Sequence, residues 1–164
     1  MVTTSSIMHD KSLVITHIFE APREVVWEAW TKPEHLAEWW GPEEFTNPTC
    51  EIDVRPEGAI RIDMRGPDGT VYPMTGRFIE VVKPERLVFS NTPLDNAGNI
   101  LFELMLTAEF TDNGNTTTLR LTSQVISETP AAAQYLGGME TGLKMSLSKL
   151  DRMLEINNRE QAPI

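Results

Sequence analysis

The sequence contains a single cysteine, Cys50, so it can form no internal disulfide. It also lacks any apolar run approaching a bilayer span, and any apolar stretch with a cleavage site before the first patterned segment. A cytoplasmic protein without a membrane partner is the expectation. Positive charge is scarce as well: 14 Lys and Arg stand against 24 Asp and Glu, and the formal net charge of -10 repels phosphate backbones and anionic lipid alike. No local basic cluster offsets it, so nucleic acid is not an expected partner. The familiar chemical signatures are missing too. There is no G-x-G-x-x-G, Walker loop, G-x-S-x-G elbow, C-x-x-C or H-E-x-x-H, and His9, His17 and His35 lack ligand spacing. No metal, cofactor or catalytic residue is therefore expected. Asn115-Thr116-Thr117 matches a glycosylation acceptor but is read as a turn. What is present, 164 residues with 40% hydrophobic and 23% charged, describes one globular domain whose partners are small molecules or proteins.

Residues 1–12 are polar and unpatterned and are read as a mobile leader, with a single domain over 13–158 and a tail over 159–164. Leu13, Ile15, His17 and Phe19 alternate with Val14, Thr16 and Ile18, the pattern of a first strand. Ala21-Pro22 and Pro33 then open two short helices carrying Val26, Trp27, Trp30, Leu36, Trp39 and Trp40, and Gly41-Pro42 stops the second. Beyond them a period of two returns. Cys50, Ile52 and Val54 face a strand of Ile60, Ile62 and Met64 across a Pro56-Glu57-Gly58 turn. A run from Val71 to Val82 reads as a strand interrupted at Pro73, followed by a short strand over 87–90. Ile100, Phe102, Leu104, Leu106, Ala108 and Phe110 form the clearest amphipathic strand, and Leu119, Leu121, Ser123 and Val125 the last one. After Thr129-Pro130, Met139, Leu143, Leu147, Leu150 and Leu154 make one helical stripe. The fold class is α+β: six to seven antiparallel strands curled around a long C-terminal helix, with two short helices after the first strand.

Three segments point further: WTKPEHLAEWWGP (30–42), EIDVRPEGAIRI (51–62), and residues 76–89 ending VVKPERLVF. In this order they resemble the bacterial family named after the activator of Hsp90 ATPase, within the START/Bet v 1-like helix-grip superfamily. The resemblance implies a curved sheet gripping the C-terminal helix, with a ligand-sized cavity between them. It also implies three functions. The first is binding of a hydrophobic small molecule, the second a protein-interaction module acting on an Hsp90-type chaperone, and the third a cavity enzyme of the cyclase or hydrolase kind. The separate N-terminal region of eukaryotic co-chaperones has no counterpart in these residues, which ranks the second below the first. A homodimer is compatible with the resemblance. Two departures stand out: Glu57-Gly58 replaces the pair of glycines common after Asp-x-Arg, and Leu143 follows Gly142 where relatives often carry tryptophan.

The cavity candidates are His17, Trp30, Trp40, Met64, Tyr72, Met74, Phe78, Phe89, Phe102, Leu104, Ser123, Met139, Leu143 and Leu147. The residues that could carry chemistry have plainer accounts. His17 interrupts an apolar face and needs a hydrogen-bond partner, for which a structural role is favoured over ligand contact. Asp53 with Arg55 and Glu140 with Lys144 are most simply surface ion pairs. Cys50 has neither a base nor a cause for a depressed pKa, so it is read as inert. Adjacent residues on a helix point about 100° apart, so one of Trp39 and Trp40 can enter the core while the other faces a cavity mouth or a partner.

Overall fold

A computed structural model gives the structure and describes residues 4–9, 12–127 and 129–161. In chain order the elements are β1 (Thr4–His9), β2 (Ser12–Phe19), α1 (Arg23–Thr31), α2 (Pro33–Trp39), β3 (Thr46–Ile52), β4 (Ala59–Arg65), β5 (Val71–Val82), β6 (Arg86–Pro93), β7 (Leu104–Asp112), β8 (Thr117–Val125) and α3 (Pro130–Gln161). The strands form one antiparallel sheet in the order β1-β2-β8-β7-β6-β5-β4-β3, curved so that its inner face wraps α3. Early and late strands are neighbours: Ile15 of β2 lies opposite Leu121 of β8, and His17 opposite Leu119.

Alternation drives this architecture. Leu13, Ile15, His17 and Phe19 of β2, Leu104, Leu106, Ala108 and Phe110 of β7, and Leu119, Leu121 and Ser123 of β8 are all buried, while the residues between them face outward. On α3, Met139, Leu147, Leu150 and Leu154 are buried, each aliphatic side chain contributing about 1.5–3 kcal/mol on leaving water. Pro33 occupies the first turn of α2, where its missing N–H leaves no bond unmade. Trp40 caps the other end and Gly41 follows at φ +95°, the left-handed turn that tips the chain out of the helix.

Four expectations change. Eight strands form instead of six to seven, because Thr4–His9, read as leader, pairs antiparallel with β2 from Thr4↔His17 to His9↔Ser12. β5 runs through Pro73 without interruption. The Pro73 carbonyl accepts Leu94 N–H at 2.9 Å on the β6 side, so the donor that proline lacks also falls on that side and the β4 ladder loses nothing. β7 begins at Leu104, and residues 101–103 lie outside strand geometry. Finally, α3 continues to Gln161, beyond the expected start of the tail.

Candidate functional site

α3 divides into two halves with different neighbours. Its C-terminal half, with Leu147, Leu150 and Leu154, is seated on the core. Its N-terminal half stands off the sheet, and between them lies a cavity of about 360 Å³. That is roughly twice the ~150 Å³ of an apolar protein cavity known to take up benzene. The sheet side is formed by Met64, Tyr72, Met74, Asn91, Leu104 and Leu106, and the helix side by Gln134, Tyr135, Met139 and Leu143. Trp40, Gly41 and Pro42 close one end, and Leu94 and Leu101 from the β6–β7 connection border it elsewhere. The glycines of α3 widen this space: a Cβ on Gly138 or Gly142, both on the lining, would meet nothing within 4 Å.

The walls are tied in place by polar bonds that the sequence pattern does not announce. Ser146 Oγ receives the Gly41 N–H at 3.1 Å and donates to the Gly41 carbonyl at 2.9 Å, fastening the end wall to α3. Lys149 Nζ donates to the carbonyls of Pro42 and Phe45 at 3.2 and 3.3 Å. Burial there moves its pKa below the ordinary lysine value. Thr129 caps the start of α3 by accepting the Ala132 N–H at 3.0 Å, and its hydroxyl donates to the Leu101 carbonyl at 2.8 Å. Tyr135, its ring 4.7 Å from that of Phe102, has its phenol pushed up to about 12 by burial and stays neutral at physiological pH.

Of the residues anticipated for the cavity, Trp40, Met64, Tyr72, Met74, Leu104, Met139 and Leu143 border it. Trp30, Phe78 and Phe89 instead surround a separate apolar void of about 20 Å³, too small for a ligand, which Trp40 and Met74 divide from the large cavity. Four candidates line neither space. Phe102 packs behind Tyr135, because the chain leaves strand geometry before Leu104 and brings Leu101 to the cavity in its place. Ser123 donates its hydroxyl to the Met139 sulfur at 3.3 Å, beneath the lining. Leu147 lies on the seated half of α3. His17 is held between Thr4 Oγ1 at Nδ1 and the Asp151 carboxylate, 2.9 Å from Nε2. Of the residues missed by sequence reasoning, Gly41, Pro42, Leu94 and Leu101 lie in connections, where no periodicity betrays which way a residue faces. Others, such as Asn91 and Pro93 on β6 and Gln134, Tyr135 and Gly138 on α3, are polar, small or off the apolar stripe that sequence reasoning followed.

The sequence matches the family model described as Activator of Hsp90 ATPase homolog 1-like protein over residues 20–155. The chain belongs to this family. Among solved structures, a protein of Arthrobacter aurescens superposes with a TM-score of 0.82 at 26% identity, covering 94% of this chain and 92% of its own. The protein Ms6760 of Mycobacterium smegmatis gives 0.79 at 26% identity, covering 92% and 96%. A Rhodobacter sphaeroides protein gives 0.79 at 25%, covering 94% and 99%. No curated protein matches the sequence.

In this member of the Activator of Hsp90 ATPase homolog 1-like family the cavity lining carries no charged side chain, and the charged groups lie elsewhere. Arg55 and Asp53 pair at 2.7 Å and Lys144 and Glu140 at 3.0 Å, all at least partly exposed to solvent. The Cys50 thiol is pushed up to about 11, first by burial and second by the charge of Glu34, which leaves little thiolate at neutral pH. The Thr4–His17–Asp151 trio has the residue types of a nucleophile, base and carboxylate, but it lies outside the cavity and joins β1, β2 and α3 instead. Trp39 and Trp40 are both buried, contrary to the expectation that helical spacing would turn one of them outward, because Trp40 is the extended cap beyond the end of α2 and not a helical position. Trp39 donates its indole N–H to the Ala29 carbonyl at 2.9 Å, while Trp40 also borders the cavity. Among the described residues no cluster of His, Cys, Asp or Glu could hold a metal ion, and no helix is long and apolar enough to cross a membrane.

Proposed function

We propose that this protein binds a hydrophobic small molecule between the sheet and the N-terminal half of α3. One observation supports the reading above the rest: the space of about 360 Å³ is bordered chiefly by methionine, leucine, proline and aromatic side chains. Apolar ligand surface placed there leaves water at a gain of about 25 cal/mol per Å². Met64, Met74 and Met139 supply polarizable walls that adapt to shape. The resident polar groups are too few for a hydrophilic substrate, which would lose its hydration without replacement.

Naphthalene is a suitable first probe, being apolar and smaller than the space. Naphthalene is expected to raise the melting temperature of the native protein. A Gly142→Leu variant, whose new side chain starts where a Cβ meets nothing within 4 Å, is expected to fold and to lose that response. No shift with naphthalene or the larger phenanthrene, together with no retained complex in native mass spectrometry, would refute the reading.

A further inference from the structure

The polar groups around the cavity differ in whether the protein already satisfies them. Ser146 Oγ is committed on both sides, to the N–H and the carbonyl of Gly41. Among the described residues, three buried side-chain polar atoms have no hydrogen-bond partner: Trp30 Nε1, Asn47 Oδ1 and Asn91 Oδ1. Trp30 borders only the small void, and Asn47 borders neither space. Asn91, on β6, borders the large one, with its Oδ1 itself turned away from the open space. A buried acceptor without a donor is costly, and side chains are retained in that state where something other than the protein supplies the bond.

We propose that the ligand is a neutral, hydroxyl-bearing apolar molecule, an alcohol or phenol, toward whose hydroxyl the Asn91 carboxamide turns about its soft terminal torsion so that Oδ1 accepts the bond, while the hydrocarbon part fills the remaining space. This rests on the cavity being a binding site. Exchanging the oxygen and nitrogen of the carboxamide, which share one shape, would reverse the demand from donor to acceptor, and a hydroxyl meets either. A plain hydrocarbon leaves the amide unpaired. An organic anion fares worse, because the lining offers no cation and the chain as a whole carries -10.

Three matched probes separate these cases: naphthalene, 2-naphthol and 2-naphthoate, titrated at pH 7 by calorimetry or fluorescence. 2-Naphthol is expected to bind the native protein about ten-fold more tightly than naphthalene, the size of one hydrogen bond to a buried group, although naphthalene is the more hydrophobic of the two. 2-Naphthoate is expected to bind most weakly. Asn91→Leu, of similar volume, is expected to remove the preference for the naphthol while keeping or improving the binding of naphthalene. Equal binding of naphthol and naphthalene by the native protein overturns the role of Asn91, leaves the cavity reading intact, and requires no variant to fold. Tightest binding of the naphthoate overturns the neutral class. Failure of all three probes, with phenanthrene failing as well and no complex retained in native mass spectrometry, removes the cavity reading itself.

Discussion

Glu57 sits in a backbone conformation that favours glycine. Its φ is +69°, in the left-handed region, so the turn keeps the geometry that glycine accepts and a side chain resists. The next residue has no such latitude, since a Cβ on Gly58 would fall 1.8 Å from the Asp53 carbonyl oxygen. Glu57→Gly is expected to stabilise the protein by up to ~1 kcal/mol, raising the melting temperature by about 2–4 °C. Gly58→Ala should lower it sharply; calorimetry on the two variants reads both outcomes. At this scale the sequence disclosed the turn but not its conformation, because Pro56-Glu57-Gly58 is compatible with several turn types and only the backbone selects one. The same limit applied to His17. Its position on an apolar face demanded a partner, yet Asp151 lies 134 positions away and no local spacing could name it. Asn91 was invisible for a related reason: the orphaned state of its oxygen is a property of the folded surroundings and not of its neighbours in sequence.

The elements show why some of the fold was readable and some was not. β2, β7 and β8 each bury one face, so their period of two is written into the sequence. β1 is an edge strand held by its backbone ladder to β2, and its hydrophobicity runs against its exposure: Ile7 is 71% exposed while Ser6 is half-buried. A pattern search has nothing to find there. α3 presents the converse problem, since one apolar stripe runs through two halves in different environments. Leu150 is fully buried on the seated half, and Leu150→Ala is expected to cost about 2–5 kcal/mol in urea denaturation. Gly138 lies on the cavity half with open space around a Cβ, and Gly138→Ala is expected to gain about 0.5–1 kcal/mol from helix propensity alone. A loss of stability in Gly138→Ala would show that this half of α3 is packed more closely than described.

At the scale of the whole molecule, alkaline pH tests the burial of two groups in different parts of the fold, Cys50 on β3 and Tyr135 on α3. The Cys50 thiol rises from 9.0 to about 11 and the Tyr135 phenol from 10.0 to about 12. In both, the folded pKa exceeds the unfolded one, so the native state holds its proton more tightly. Their stability is fully present below the unfolded values and lost as pH climbs through the folded ones. Urea midpoints should therefore fall between pH 9 and 12, by ~1–2 kcal/mol for Tyr135 and less for the half-buried Cys50, which solvent screens. Tyr135→Phe and Cys50→Ala are each expected to flatten that decline; variants that fall as steeply as the native protein would locate the alkaline sensitivity in other groups.

The pairing of β2 with β8 also governs how the chain is made. Residues 12–19 have 4–9 beside them from the start, but their other edge waits for 117–125, so an emerging polypeptide carries one side of this early strand unmatched through most of synthesis. Until α3 has left the ribosome and Ser146 has reached Gly41, the concave face lies open. Translation pauses placed before that point would lengthen the interval in which nascent copies adhere to one another, so aggregation during expression should depend on codon speed in the final quarter of the message.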